Sequence, residues 1–268
     1  MALPTNMMVK GQRYIPGIVG GVGPLSHTDF EKLLLRLNRS AKADQEHPVY
    51  LLANATVTPN RPQAVMEENK GNKIPAQRVE KTLIFFAKLL EKGGADFLIV
   101  LCNGAHFWYK RVSEKITIPW ISMIEETAQY LKRQYPTLKR VGILASDATL
   151  LGKLYHNALS RVGLQPIAPA VGSPLQSKVM NATFYATYAI KATGDSVSPQ
   201  ARDELIQAAH SLQKDGAEAI ITGCTEISVA LTPQYYFAIP LVDPLTIVAK
   251  TTLDLSMGKR EIPQIKEV

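Results

Sequence analysis

The sequence predicts an α/β protein of two pseudo-symmetric lobes, each a mainly parallel sheet flanked by helices, with an active site in the cleft between them. The main observation is an internal repeat. A Gly-Ala-acidic start and a short apolar run lead to Cys102, and the same pattern leads to Cys224. The two cysteines are 122 residues apart, and so are Gly94 and Gly216, which precede the two runs. The length of 268 residues supports the same fold class, because it exceeds one typical domain and accommodates two units of roughly 120 residues.

Strands and helices alternate in the first half of the chain. Residues 1–14 are polar and aperiodic, which predicts a loose N-terminal arm. A strand over 14–19 and a glycine-rich turn lead to a helix with i, i+3, i+4, i+7 apolar spacing. A strand over 49–53 and a loop over 58–62 precede a helix with one apolar face, which Gly93-Gly94 stops. The first cysteine strand follows, and then a strand over 118–121 and a helix that ends near Tyr135.

The same order returns in the second half. A strand over 140–146, a helix over 150–161 and a helical stretch within 173–194 come first. Ser198-Pro199 supplies a cap and a first-turn proline for the next helix, which ends at Gly216. The second cysteine strand is followed by a strand over 239–242 and a final helix over 245–257. Because strand, helix and cysteine strand recur in sequence, a duplicated unit is favoured.

Composition excludes several classes of protein. Lys and Arg number 30 and Asp and Glu 23, for a net charge of +7, but the basic residues never form a run of five or six. A nucleic-acid partner is therefore not expected. The apolar runs are far shorter than a membrane span needs, and the first 14 residues lack the apolar segment of a signal peptide. We expect a cytoplasmic protein with no membrane partner, whose two cysteines do not form a structural disulfide.

The positions of the two thiols in the predicted strands favour a catalytic role for them. A short apolar run between glycine and small polar residues is typical of a buried parallel strand. Cysteine then lies at the carboxyl end of that strand, where open α/β sheets form their ligand crevice. Two buried structural cysteines are the alternative, since Cys also packs as a small hydrophobe. The repetition at matched spacing favours Cys102 and Cys224 as catalytic residues.

Two loops supply candidate groups for binding a carboxylate. The turn Gly20-Gly21-Val22-Gly23 allows backbone N–H groups to approach an anion at a helix start, and we assign Gly21 to substrate binding. Its spacing fails the dinucleotide motif at Ser26, so a nicotinamide cofactor is not supported; a purely structural turn remains the alternative. Asn54 follows the second strand. Arg61 lies in a loop between Pro59 and Pro62 and is suited to binding a carboxylate through two parallel hydrogen bonds.

The residues that follow each thiol are further candidates. Asn103, Gly104 and Thr225 lie where backbone and side-chain donors would hold an α-carboxylate and stabilise the charge that develops on it. Glu226 is interpreted either as a partner for the substrate ammonium or as a group that tunes Cys224, with a strand-capping glutamate as the alternative. His106 reads as a structural histidine, because no Asp or Asn partner can be assigned to it by spacing.

Several motifs together resemble the aspartate/glutamate racemase family, in the family's order from about residue 15 to 260. They are Gly17-Ile18-Val19-Gly20-Gly21-Val22-Gly23-Pro24, Pro59-Asn60-Arg61, Cys102-Asn103-Gly104-Ala105-His106, Ile190-Lys191-Ala192-Thr193-Gly194 and Gly223-Cys224-Thr225-Glu226-Ile227. The resemblance implies one cysteine from each lobe, no cofactor and a homodimer. It also implies that the last strand and helix pack on the first lobe, which then comprises 15–118 plus 239–268, with 119–238 as the second. Arg61 and Lys191 look like the family's substrate-carboxylate ligands.

The sequence departs from the family's pattern at three places. Val22 replaces a usual Met, Asn60-Arg61-Pro62 replaces Asp-Arg-Thr, and Gly104 replaces a Thr beside the first thiol. The loss of that hydroxyl would enlarge the pocket toward glutamate, weaken carboxylate binding, or be absorbed by a water molecule.

The function expected from these residues is racemisation of an acidic amino acid, aspartate or glutamate, by two cysteine bases. Inverting an α-carbon requires a proton to leave one face and another to arrive on the opposite face, which two acid/base groups achieve. No cofactor lysine motif or metal-ligand cluster is present in the sequence, so neither pyridoxal phosphate nor a metal is expected. The alternatives are a related isomerase or decarboxylase on the same fold, a non-catalytic amino-acid-binding protein and a thiol redox sensor.

Overall fold

The protein contains two parallel β-sheets, as a computed structural model of residues 8–231 and 237–263 shows. The first sheet has the order β2-β1-β3, with β1 at Pro16–Gly20, β2 at Leu51–Asn54 and β3 at Phe97–Val100. The second has the order β5-β4-β6-β7, with β4 at Arg140–Ala145, β5 at Gln165–Ile167, β6 at Ala219–Gly223 and β7 at Leu241–Val242. Every strand pair is parallel. The predicted α/β fold class is confirmed.

Helices follow most strands and cover both sheets. They are α1 (Pro24–Leu37), α2 (Arg61–Asn69), α3 (Ile74–Lys92), α4 (Tyr109–Ser113), α5 (Met123–Gln134), α6 (Asp147–Leu151), α7 (Leu154–Arg161), α8 (Pro174–Met180), α9 (Ile190–Thr193), α10 (Pro199–Lys214), α11 (Thr225–Ala230) and α12 (Pro244–Ser256). The predicted cap of α10 is confirmed, because the N–H of Ala201 donates to Ser198 Oγ at 3.1 Å. Asn60 caps α2 in the same way through the N–H of Gln63, at 3.0 Å.

Three apolar layers result from the alternation of side chains along the strands. In β3, Phe97 and Ile99 point into a core that also receives Ile143 of β4 and Ile221 of β6. The intervening residues of β3 point the other way, into a second core against α3. The outer face of the second sheet forms a third core with α10. The two sheets therefore share one central core, because each presents alternate residues to it.

The position of the last strand differs from the one that the family resemblance implied. β7 pairs with β6 of the second sheet, in the register Ile221↔Val242, and does not return to the first sheet as the family resemblance implied. The segment before α5 instead extends the first sheet, through a single parallel bridge between Leu98 and Trp120. The two edges are equivalent, because the N–H of Leu98 donates to Pro119 O at 2.8 Å and that of Ile220 to Pro240 O at 2.9 Å. Each sheet thus keeps its own final strand.

Helix α12 packs on α1 of the first half and on α5, which lies in the predicted second lobe. The remaining lobe boundaries stay a prediction.

The N-terminal residues that the structure describes are not loose. The side chain of Gln12 bonds both backbone polar groups of Val49, accepting at 2.9 Å and donating at 2.7 Å. The N–H groups of Arg13 and Tyr14 both donate to Ser256 O. The arm predicted over 1–14 is therefore wrong for residues 12–14, because these bonds attach them to the segment before β2 and to the end of α12. Residues 1–7 lie outside the described part of the chain.

Three predicted segments differ in detail. The loop over 58–62 ends in the first turn of α2, so Arg61 is a helical residue with Pro62 beside it. The helix predicted over 150–161 is divided into α6 and α7 at Gly152 and Lys153, where Lys153 adopts a left-handed conformation with φ 49°. The stretch over 173–194 contains α8, a π-helical turn and α9. None of the helices described is long and apolar enough to cross a membrane.

Candidate active site

The two thiols occupy equivalent positions at the carboxyl ends of β3 and β6. Cys102 is half-buried and precedes a 3-10 turn over Gly104–Trp108, whereas Cys224 is buried and precedes α11. Both line one small pocket, with a cavity volume of about 20 Å³. The ends of two equivalent strands therefore bring one thiol each to the same pocket.

Eight of the ten residues predicted for the site line this pocket. They are Cys102, Cys224, Arg61, Asn103, Gly104, Lys191, Thr225 and Glu226. Gly21 lines an adjoining outer cavity that shares Arg61 and Lys191 with the pocket. Asn54 lines neither cavity, and its side chain lies against Gly21. Chain topology thus brings together residues that are widely separated in the sequence.

A buried polar network surrounds Cys224. Its Sγ donates to Glu226 Oε2 at 2.9 Å, and Thr225 Oγ1 donates to the same oxygen at 3.2 Å. The other carboxylate oxygen of Glu226 accepts from Lys191 Nζ in an ion pair. Ser26 Oγ, in the first turn of α1, donates to Thr225 Oγ1 at 2.8 Å. The second thiol is therefore held by groups from both halves of the chain.

The charges of this network shift the pKa values of its members. Burial, followed by the charge of Glu226, raises the pKa of Cys224 well above its ordinary value. Burial alone would raise the pKa of Glu226, but the Lys191 ammonium and the hydrogen bonds it accepts outweigh burial and lower it. Burial alone would lower the pKa of Lys191, but Glu226 and Cys224 raise it overall. In this arrangement Cys224 is a protonated thiol beside an ion pair.

Arg61 is fixed by the backbone around it. Its Nη1 donates to the carbonyls of Thr58 and Pro59 at 3.2 and 3.1 Å, and its Nη2 donates to the carbonyl of Val22. Its Nε is buried and has no hydrogen-bond partner among the described residues. The guanidinium is thus fixed by three backbone carbonyls at the mouth of the pocket, and its Nε is unpaired.

His106 is a structural residue, as its sequence context indicated. Its Nδ1 lies 2.9 Å from the carbonyl oxygen of Cys102, and its Nε2 accepts from the N–H of Met123 at 3.2 Å. Burial lowers its pKa to about 4, so the ring is neutral near pH 7, with the proton on Nδ1. The histidine thereby holds the turn that carries Cys102 against the start of α5.

Backbone geometry requires glycine at one of two glycine positions of the site and not at the other. Gly21 has φ 72°, and a Cβ there would lie 2.0 Å from Asn54 Oδ1 and 2.8 Å from the backbone nitrogen atoms of Ala55 and Thr56. Gly104 has no such requirement, because a Cβ there would first meet the Cβ of Ala148 at 3.4 Å. The position where the family resemblance leads one to expect threonine therefore has space for a small side chain.

Sequence reasoning missed several residues that line the pocket: Val22, Pro62, Ser146 and Phe184. Phe184 lies in the π-helical turn, and Lys191 Nζ is 5.0 Å from the centroid of its ring. Ser146 follows β4 and is a strand-end residue of the kind that indicated the cysteines. Its position at the carboxyl end of a parallel strand was the available signal.

Comparison with known proteins identifies the family. The family model described as Asp/Glu/Hydantoin racemase matches residues 19–252. The chain belongs to this family. It is accordingly an isomerase of the racemase class, and the resemblance drawn from its motifs is confirmed.

The individual similarities extend over nearly the whole chain. It is 26% identical over 243 residues to the broad specificity amino-acid racemase RacX of Bacillus subtilis (strain 168), which covers 88% of this chain and 96% of the relative. Among solved structures, an aspartate racemase of Picrophilus torridus has 29% identity and a TM-score of 0.72, covering 92% and 96% of the two chains. A glutamate racemase of Francisella tularensis subsp. tularensis SCHU S4, in complex with D-glutamate, shares the fold at 17% identity and a TM-score of 0.60, covering 95% and 86% of the two chains.

Proposed function

We propose that this protein racemises an acidic amino acid, aspartate or glutamate, without a cofactor, and that Cys102 and Cys224 are the two acid/base groups. The observation that carries the proposal is that equivalent strands of two sheets each bring one thiol to the same small pocket. Membership of the racemase family supports the reaction class.

The proposed reaction transfers one proton from substrate to enzyme and another from enzyme to substrate. The thiolate of one cysteine removes the α-proton, and the electron pair of the broken C–H bond is delocalised into the α-carboxylate. The thiol of the other cysteine then donates its proton to the opposite face of the α-carbon. The enzyme finishes with the protonation states of its two cysteines exchanged, so the next turnover proceeds in the reverse direction or follows proton exchange with solvent.

The network around Cys224 supports its role as the initial proton donor. Its pKa is raised by burial and by Glu226, so the thiol form is favoured when the pocket holds no substrate. Because the same carboxylate lies 2.9 Å from Sγ, its charge opposes formation of the Cys224 thiolate. This geometry favours the tuning role predicted for Glu226 over a contact with the substrate ammonium, because Lys191 already pairs with it.

The charge of the pocket supports an acidic substrate. Among the described residues, the charged side chains lining it are Arg61, Lys191 and Glu226, which leaves an excess of one positive charge while both cysteines are thiols. Aspartate and glutamate carry a net charge of −1 near neutral pH, so either one neutralises the excess. We propose that Arg61, Lys191, Asn103 and Thr225, with the backbone near Gly21 and Gly104, hold the two carboxylates. No role is proposed for Asn54 beyond its contact with Gly21.

The decisive experiment is deuterium exchange. The purified protein is incubated in deuterium oxide with L-aspartate, L-glutamate, L-alanine or L-lysine, and the α-proton signal and the enantiomer ratio are followed by NMR and chiral chromatography. We expect loss of the α-proton and accumulation of the D-isomer for the acidic substrates, with no change on addition of pyridoxal phosphate or a chelator. The Cys102→Ser, Cys224→Ser double variant is the control for non-enzymatic exchange.

Two results would count against the proposal in different ways. Equal or faster turnover of alanine or lysine would overturn the acidic specificity and leave the two-thiol reaction standing. Binding of aspartate without any α-proton exchange would overturn catalysis and favour the amino-acid-binding alternative. We also propose that the protein is a cytoplasmic homodimer, which sedimentation and fractionation would test.

A further inference from the structure

A hydrogen bond between the two halves of the chain involves the residue that follows the first thiol. The hydroxyl of Tyr155, in α7, donates to Asn103 Oδ1 at 2.5 Å, and Tyr155 is completely buried. Its ring also touches the second cysteine strand, because a Cβ added to Gly223 would lie 3.0 Å from Cε2 of Tyr155. Tyr155 thus contacts the residue after Cys102 and the residue before Cys224.

The direction of this hydrogen bond decides what Asn103 offers to the pocket. An asparagine amide has an acceptor end and a donor end, which exchange places when the group rotates by half a turn. With Oδ1 engaged by Tyr155, Nδ2 is the atom left for a ligand, and it is buried without a partner among the described residues. A carboxylate needs donors, so the opposite orientation would present an oxygen to it and repel it.

We propose that Tyr155 is a positioning residue for the substrate: by donating to Oδ1 it holds the Asn103 amide so that Nδ2 meets a substrate carboxylate. The inference rests on the proposed function, since it takes the ligand to be a carboxylate. Separately, burial raises the pKa of Tyr155 well above its ordinary value, so its hydroxyl remains a donor at every pH at which activity would be measured.

Replacing tyrosine by phenylalanine removes this hydrogen bond, together with the interaction of the hydroxyl with Thr127. Tyr155→Phe removes the hydroxyl and keeps the ring that packs on Gly223. The amide of Asn103 then loses the bond that orients it. Because the carboxylate is bound in both ground and transition states, we expect KM to rise roughly tenfold, with a much smaller change in kcat.

A double-mutant cycle tests whether Tyr155 acts through Asn103. Asn103→Ala should raise KM by at least as much as Tyr155→Phe, and the double variant should be no worse than Asn103→Ala alone. Independent, multiplying effects would overturn the proposal, as would an unchanged KM in Tyr155→Phe. Tyr50→Phe is the matched control, because Tyr50 also donates its hydroxyl to a side chain, that of Glu31 at 2.6 Å, and lies outside the pocket.

A measurement without turnover separates this inference from the proposed function. The side-chain amide signals of Asn103, assigned by their absence from Asn103→Ala, are followed by NMR. We expect Tyr155→Phe to shift them and Tyr50→Phe to leave them unchanged. If the wild-type protein failed to racemise any substrate, the proposed function would fall, and these signals would still show whether Tyr155 holds the amide. Unshifted signals in Tyr155→Phe would overturn the inference even in an active enzyme.

Discussion

Replacing Glu226 by glutamine tests the buried network at the second thiol. The substitution keeps the size of the side chain and an oxygen that accepts hydrogen bonds from Cys224 and Thr225, and it removes the charge that pairs with Lys191. Breaking a fully buried ion pair costs about 3 to 5 kcal/mol. The Lys191 side chain is 27% exposed and the Glu226 side chain 6%, so the ammonium can reach water in part. We therefore expect a loss of about 2 to 3 kcal/mol in the free energy of unfolding at neutral pH.

The pH dependence of this loss provides a sharper test. The pKa of Glu226 is lowered in the folded protein, so its ionised form stabilises the fold above the unfolded pKa of about 4.3. This contribution disappears as pH falls through the folded pKa. The difference between wild type and Glu226→Gln, measured by urea unfolding, should be largest near pH 7 and should shrink in acid.

Glu218→Gln is the matched control for the pH series. Hydrogen bonds from the backbone N–H groups of Lys139 and Arg140 lower the pKa of Glu218 as well, but this carboxylate is exposed and lies outside the pocket. Its replacement should change stability far less and leave activity unaffected. A Glu226→Gln variant as stable as wild type at neutral pH, or one whose deficit persists undiminished in acid, would refute the assigned ion pair.

The same substitution has a chemical readout at the thiol. In a Cys102→Ser background, Cys224 is the sole cysteine of the chain. Removing the Glu226 charge takes away one cause of the raised pKa of Cys224, while Lys191, which lowers it, remains. Alkylation of Cys224 by iodoacetamide should therefore be faster in the double variant than in Cys102→Ser alone at the same pH. An unchanged or slower rate would contradict the tuning role of Glu226.

Three further predictions follow from the site. Cys102→Ser and Cys224→Ser should each abolish racemisation and retain deuterium exchange into one enantiomer only. We expect Cys102 to serve the D-isomer and Cys224 the L-isomer. Near-normal racemisation by either variant, measured by chiral chromatography, would refute the two-base assignment. Gly21→Ala should lower thermal stability more than Gly163→Ala. Both glycines have positive φ, 72° and 79°, but only Gly21 has neighbouring atoms where a Cβ would lie. Equal losses of thermal stability would show that the contact at Gly21 is relieved at no cost. Gly104→Ala should fold with wild-type stability, because the nearest atom to the added Cβ lies at an ordinary contact distance of 3.4 Å. It should lower the turnover of glutamate relative to aspartate, because the added methyl group reduces the pocket. An unchanged ratio of the kcat/KM values for the two substrates would show that Gly104 does not determine specificity.

The sequence by itself determined the two repeated units and the cysteine at the end of one strand in each. The periodicity of apolar residues predicted the main helices, and Ser198-Pro199 predicted the start of α10, because helix caps depend on neighbouring residues only. The matched spacing of the two cysteine strands predicted both thiols at strand ends. The side-chain period of two also explains why each strand contributes to two cores, since alternate residues point to opposite faces.

The tertiary structure decided which groups meet at the site. Lys191 and Glu226 are 35 residues apart, Tyr155 and Asn103 are 52 apart, and Ser26 and Thr225 are 199 apart. No local pattern marks such pairs, because their contact depends on how two sheets dock through a shared core. The pairing of β7 with β6 was decided in the same way: the short strand satisfies its backbone hydrogen bonds at the nearest free edge, and the residues of the strand itself do not specify which sheet provides that edge.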